Sequence, residues 1–182
     1  MRIAPNLAAI AAIATLSLAT PALAALPVGA TAPDIVTKAA RGGKMFDFAL
    51  KAALKKGPVV LYFFPAAFTS GCTIEAHEFA EAAADFEKNG ATLIGLTAGN
   101  VDRIAEFSKL ECRDKFPVGE ASPTVIKGYD VALAAKAGWT DRTSYVIAPN
   151  GKIIFTLSQL NPAGHVQGTL DAVKKYKATK KG

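Results

Sequence analysis

The run Pro58-Val-Val-Leu-Tyr-Phe-Phe64 restricts this chain more than any other stretch. It is apolar throughout, of strand length, and rich in β-branched and aromatic residues. A strand that is apolar on both sides must be covered on both sides. That is the pattern of a central strand in an α/β fold, not of a half-exposed sheet, which alternates. "ATLIGLT" (91–97) repeats it. Between them, "TIEAHEFAEAAADFEKNG" puts Phe79, Ala82, Ala83 and Phe86 on one helical face and stops at Asn89-Gly90. A buried strand, a helix and a second buried strand imply parallel strands with a right-handed crossover.

The rest of the chain extends this unit. Residues 25–45 read as irregular, and "FDFALKAALKKG" reads as a short helix or turn ending at Gly57. "NVDRIAEFSKLEC" reads as a helix capped by Asn100 and ending near Cys112. "FPVGE" suits a short strand, and "SPTVIKGY" a short helix opened by Ser122-Pro123. "TSYVIA-PNG-KIIFTL" reads as a hairpin around Pro149-Asn150-Gly151. The last helix is expected to be capped by Asn161 with Pro162 in its first turn, and Val166, Leu170 and Val173 form its apolar stripe. With 182 residues, 51% of them hydrophobic, the chain supports one core rather than two. The expected fold is α/β: a thioredoxin-like three-layer sandwich, with a central mixed β-sheet and helices on both faces. Element order alone leaves other α/β folds open.

Residues 1–24 read differently. Arg2 precedes an apolar stretch from Leu7 to Leu18, Pro21 follows, and Ala22-Leu23-Ala24 has the small-x-small form of a cleavage site. This is the pattern of a cleavable secretory signal peptide. The alternative, an uncleaved anchor, needs an apolar run of about 20 residues. The expected mature domain is 25–182, exported to the periplasm, with no stable membrane association after cleavage. The formal charge is +6, but the basic residues are scattered, and the dense run "KKYKATKKG" lacks aromatic interleaving. It reads as a solvated helix end and a short tail from about Ala178, not as a nucleic-acid surface.

Cys72 is one of two cysteines in the chain. It falls just after the first central strand, at the first turn of the next helix. In an open α/β fold the site lies at the carboxyl ends of the parallel strands. Unpaired N–H groups and the positive end of the helix dipole point at such a residue. Both favour a thiolate, the nucleophilic form of cysteine. Position alone leaves a buried small hydrophobe or half of a structural disulfide equally open.

The neighbours add to this. "PAAFTSGC" places Pro65, Thr69 and Cys72 in the spacing Pro-x3-Thr-x2-Cys, and "GCTIEAHEF" and "RTSYVIAPNGKI" continue the match. Here the chain resembles the peroxiredoxins, and most closely their bacterioferritin-comigratory, Q-type subgroup. The resemblance runs over most of the chain after Leu26. It implies a thiol-dependent peroxidase with Cys72 as the peroxidatic thiol and no cofactor. It further implies that Thr69 and the backbone N–H groups at Gly71 and Cys72 bind the peroxide, and that Arg142 stabilises the thiolate and the attacked oxygen. Pro65 would shield the pocket, and Glu75 would hold arginine. Read without the resemblance, Thr69 is a helix cap, Pro65 a strand end, Arg142 a solvated turn residue and Glu75 a first-turn acid. His77 stands where many Q-type members carry a second cysteine, and reads as a helix-surface histidine. No metal site is expected, since the two histidines, His77 and His165, have no ligand cluster around them in the sequence.

Cys112 lies 40 residues beyond Cys72. Some Q-type members have a resolving cysteine on the corresponding helix, so the resemblance implies a Cys72–Cys112 disulfide in each cycle. A permanent structural disulfide and a bystander thiol are the alternatives. The implied partners are a peroxide and a thiol reductant, thioredoxin-like or another dithiol, with the chain acting as a monomer. Two other functions stay open: a thioredoxin-like thiol–disulfide oxidoreductase, which lacks its Cys-x-x-Cys pair here, and a non-catalytic thioredoxin-like binding module.

Overall fold

The computed structural model describes residues 25–180. The expected signal peptide over residues 1–24 lies outside them. The elements are β1 (Val36–Arg41), β2 (Lys44–Ala49), α1 (Leu50–Leu54), β3 (Val59–Phe63), α2 (Ser70–Lys88), β4 (Thr92–Thr97), α3 (Ile104–Leu110), β5 (Val118–Glu120), α4 (Pro123–Tyr129), β6 (Thr143–Ile147), β7 (Ile153–Ser158) and α5 (His165–Thr179). They build a single mixed sheet in the order β2-β1-β5-β4-β3-β6-β7. β3, β4 and β5 run parallel, with Val60 opposite Leu93 and Leu96 opposite Gly119. The other pairings are antiparallel. This is the thioredoxin-like α/β sandwich that the element order suggested.

The central run behaves as its composition requires. Every residue of β3 is buried, and successive side chains enter opposite layers. Val59, Leu61 and Phe63 join a core with Leu50, Leu54, Tyr129 and Tyr145, under α1 and α4. Val60, Tyr62 and the following Phe64 join a second core with Phe79, Phe86, Phe107 and Val173, under α2, α3 and α5. Gly95 of β4 makes room for the Tyr62 ring, since a Cβ there would lie 2.6 Å from it.

Four local readings change. The region read as irregular contains β1 and the start of β2, which runs on through residues 46–49, a stretch read as helix or turn; the hairpin turns at Gly42 and Gly43, φ 56° and 81°. Both strands are largely exposed, so no apolar run marked them. α3 ends at Leu110, leaving Cys112 in the turns that follow. Asn100 does not cap a helix through its side chain: it is left-handed (φ 55°), and its amide reaches back to the Ala67 carbonyl at 2.8 Å. α5 starts at His165 after Gly164 (φ 89°), and Asn161 instead accepts from the Ala163 N–H. α5 continues to Thr179, so the basic run is mostly helix end, as read.

Candidate active site around Cys72

Helix α2 begins at Ser70, with Thr69 as the extended residue before it. The first intrahelical bond runs from the Thr73 N–H to the Thr69 carbonyl at 2.9 Å. Cys72 is therefore the third helical residue, and the first-turn N–H groups have no carbonyl of their own helix to bond. Cys72 is 1% exposed.

The loop that delivers Cys72 is held by its carbonyls. Thr140 Oγ1 donates to Phe64 O (2.6 Å), Thr97 Oγ1 to Pro65 O (3.1 Å), Thr69 Oγ1 to Ala66 O (3.1 Å) and Asn100 Nδ2 to Ala67 O (2.8 Å). A buried carbonyl without a partner costs about 1–3 kcal/mol, so these donors fix the loop rather than decorate it. Phe68 completes the loop at φ 64°, a conformation bulky residues rarely adopt. The Arg103 guanidinium covers its ring at 3.9 Å. Gly99 lets the next loop approach, since a Cβ there would lie 2.5 Å from the Pro65 carbonyl.

Arg142 enters from the start of β6 and is 4% exposed, so it is no solvated turn residue. Each part of its guanidinium has a partner. Nη2 faces Cys72 Sγ at 3.5 Å. Nη1 pairs with Glu75 Oε2. Nε donates to the Leu160 carbonyl at 2.8 Å. Gly71 leaves space for this approach, because a Cβ there would lie 3.2 Å from Arg142 Nη2. A planar fork with fixed donors suits this task better than a lysine point charge.

Glu75 is fully buried, and its second oxygen, Oε1, has no hydrogen-bond partner among the described residues. Burial pushes its carboxyl up to about 8, against the pull of Arg142. His165 Nδ1 lies 3.9 Å from that free oxygen. The Nε2 side of the ring faces the Gln159 carbonyl at 3.1 Å, which can only accept, so Nε2 carries the proton. Nδ1 then accepts from Ser144 Oγ at 2.8 Å. Burial also lowers His165 to about 4, which keeps it neutral beside the arginine.

The structure thus brings together Cys72, Thr69, Gly71, Glu75 and Arg142, with Pro65 at the head of the loop. Cys112 is fully buried in the same core cluster as Cys72, beside Phe107 and Phe116, and both cysteines are free thiols. Burial and the neighbouring Glu111 push its thiol up. His77 is only partly exposed, and its Nε2 bonds Glu111 Oε2 at 2.7 Å, so it is more than a surface histidine. Sequence reasoning missed Thr97, Thr140, Ser144 and His165. These come from distant strands and helices, and nothing local in the sequence marks them.

The AhpC/TSA family model matches residues 28–156. The chain belongs to that family. Within it, the relatives are peroxiredoxins of the Bcp and Q type. A chloroplastic peroxiredoxin Q of Oryza sativa subsp. japonica is 30% identical over 173 residues, 87% of this chain and 78% of the relative. Peroxiredoxin Bcp of Xanthomonas campestris pv. campestris is 25% identical over 124 residues, 65% of this chain and 77% of the relative. The crystal structure of peroxidoxin BcpB from Mycobacterium tuberculosis superposes with a TM-score of 0.71 at 29% identity, covering 81% of this chain and 96% of that one. As a Bcp/Q-type peroxiredoxin, the chain has its candidate thiol where the motif placed it, at the carboxyl end of β3.

Proposed function

We propose that Cys72 is the peroxidatic thiol of this peroxidase and that Cys112 resolves it. Membership of the peroxiredoxin family makes the chain a thiol-dependent peroxidase acting on peroxides with electrons from a thiol reductant. The assignment of roles rests chiefly on one observation: Arg142 Nη2 stands 3.5 Å from Cys72 Sγ, at the first turn of a helix.

The chemistry follows from the donors. A Cys72 thiolate attacks one peroxide oxygen, an S–O bond forms and the O–O bond breaks. The other oxygen leaves as alkoxide or hydroxide and takes up a proton. Negative charge moves from sulfur to the leaving oxygen, and donors along that path lower the barrier. Thr69 gives its own hydroxyl hydrogen to the Ala66 carbonyl, so its oxygen is free to accept the peroxide O–H. Arg142 and the N–H groups at Gly71 and Cys72 face the negative charge. Glu75 keeps the guanidinium aimed at sulfur, and Pro65 limits water.

The product is a sulfenic acid on Cys72. Attack by Cys112 then gives an intramolecular disulfide, which a thioredoxin-like or other dithiol would reduce. We read the chain as exported to the periplasm, on the leader pattern of residues 1–24, and as acting as a monomer.

Peroxide turnover with a dithiol donor tests the roles. Cys72→Ser should abolish even one turnover. Cys112→Ser should consume one equivalent at near-normal rate and then stall. Normal turnover by Cys72→Ser refutes the peroxidatic assignment, and normal cycling by Cys112→Ser refutes the resolving one.

A further inference from the structure

Cys112 is flanked by ties to α2 on both sides. Before it in the chain, Glu111 presents Oε2 to His77 Nε2 at 2.7 Å. After it, Arg113 Nη1 lies 3.5 Å from Glu81 Oε1. His77 and Glu81 are four residues apart on α2 and share a face of it. This is the helix whose first turn carries Cys72. The two ties differ in strength. The His77 and Glu111 side chains are 35% and 19% exposed, whereas Arg113 and Glu81 are 47% and 72% exposed. An open ion pair is screened and contributes little. The shorter, shielded contact to His77 is the main one.

The tied segment holds a strained backbone. Arg113 and Asp114 are consecutive left-handed residues, at φ 51° and 56°. On its far side the segment meets the β1–β2 hairpin: Arg41 Nε donates to the Asp114 carbonyl at 3.1 Å, and the Gly43 N–H donates to Ser108 Oγ at 2.9 Å. Those bonds survive any change at His77, so losing it loosens one side of the segment only.

Resolution requires a Cys112 thiolate, and full burial in the core holds the thiol protonated, so Cys112 must loosen from its buried seat. The Cys112 thiolate attacks the Cys72 sulfenic sulfur, an S–S bond forms and the S–O bond breaks. The departing hydroxide takes the proton given up by the thiol and leaves as water, so no further oxidant is needed. A second peroxide competes for the same sulfenic acid and gives sulfinic acid instead. Release of Cys112 therefore decides which product forms.

We propose that His77 is a positioning residue that, through its bond to Glu111, holds Cys112 in its buried seat and sets the rate at which the Cys72 sulfenic acid is resolved. The proposal rests on the reading of Cys112 as the resolving thiol. His77 acts through Glu111 and not on peroxide.

The test uses the reduced protein, hydrogen peroxide, rapid quenching with a thiol-alkylating reagent, and mass spectrometry of the Cys72 and Cys112 peptides. His77→Ala should leave the first peroxide step unchanged. It should speed disulfide formation roughly threefold to tenfold, the range expected for one partly shielded charge-assisted bond. Sulfinic acid formed in excess peroxide should fall by a similar factor. His77→Gln, whose amide can still donate to Glu111, should stay near the original rate. In a Glu111→Gln background, His77→Ala should add little. An unchanged or slower disulfide step in His77→Ala overturns the proposal, as does an equal gain in the Glu111→Gln background. If the unsubstituted protein itself forms no Cys72–Cys112 disulfide, the resolving reading falls and takes this one with it. If it does and His77→Ala gives no gain, the positioning role alone falls.

Discussion

Around Cys72 the backbone is tied down carbonyl by carbonyl, whereas around Cys112 the ties to α2 run through side chains near the surface. Both thiols are buried to the same degree. Yet one sits on a loop whose successive carbonyls, from Phe64 to Ala67, are each taken by a hydroxyl or amide. The other sits just before the left-handed pair Arg113-Asp114; its own N–H and carbonyl bond Phe107 and Lys115 within that local turn, and its ties to α2 are a histidine and an open ion pair. Burial alone does not distinguish a fixed thiol from a movable one. The kind of partner does: hydrogen bonds to buried carbonyls are costly to leave unmade, while exposed ion pairs open at little cost.

The comparison breaks most visibly at Arg142. Arg142→Ala removes the donor facing Cys72 Sγ and should slow the peroxide step about 10²–10³-fold. Lysine should recover only part of this, lacking the fork. Stopped-flow measurement of the first turnover checks it, and an unchanged rate would return Arg142 to a packing role.

Thr140→Val tests the rigidity of the Cys72 loop. It keeps the shape and leaves the Phe64 carbonyl unpaired, which should cost about 1–3 kcal/mol in denaturant unfolding. A neutral outcome would mean the loop is not held as described.

Glu75 and His165 give opposite pH dependences. Glu75 is raised from an ordinary 4.5 to about 8 in the folded chain. Its contribution is present below about 4.5 and lost as pH rises through about 8. His165 is lowered from 6.5 to about 4, so its contribution is present above 6.5 and lost as pH falls through about 4. Glu75→Gln should therefore remove a fall in stability between pH 5 and 8, roughly the window between those two Glu75 values. Urea midpoints across that range decide it, and an unaltered slope would contradict a raised Glu75.

Glu81→Ala is expected to have the smallest effect. An exposed pair is worth about 0–1 kcal/mol, so stability should barely move, and resolution should change far less than in His77→Ala. A large effect would reverse the ranking of the two ties.

Much of this was legible in the sequence because it is local. The β3 run forced a central strand, the Pro-x3-Thr-x2-Cys spacing located the thiol, and Ser122-Pro123 opened α4 as read, with Ser122 Oγ accepting from the Val125 N–H. The β1–β2 hairpin escaped because its strands are exposed, although Gly42-Gly43 was a usable turn signal. Thr140, Thr97, Ser144 and His165 escaped for a different reason. Their roles exist only once β4, β6 and α5 lie beside the loop, and a threonine that holds a distant carbonyl looks like any other. The role of His77 was hidden likewise, since its partner Glu111 lies 34 residues away.

The most direct test of the account is where peroxide oxygen goes. Reduced protein is treated with one equivalent of hydrogen peroxide, quenched, and mapped by mass spectrometry beside Cys112→Ser. The account predicts a Cys72–Cys112 disulfide in the unsubstituted protein, and a single oxygen on Cys72 with none elsewhere in the variant. Oxygen first appearing on Cys112, or a disulfide already present before any peroxide is added and resistant to mild reductant, would contradict it.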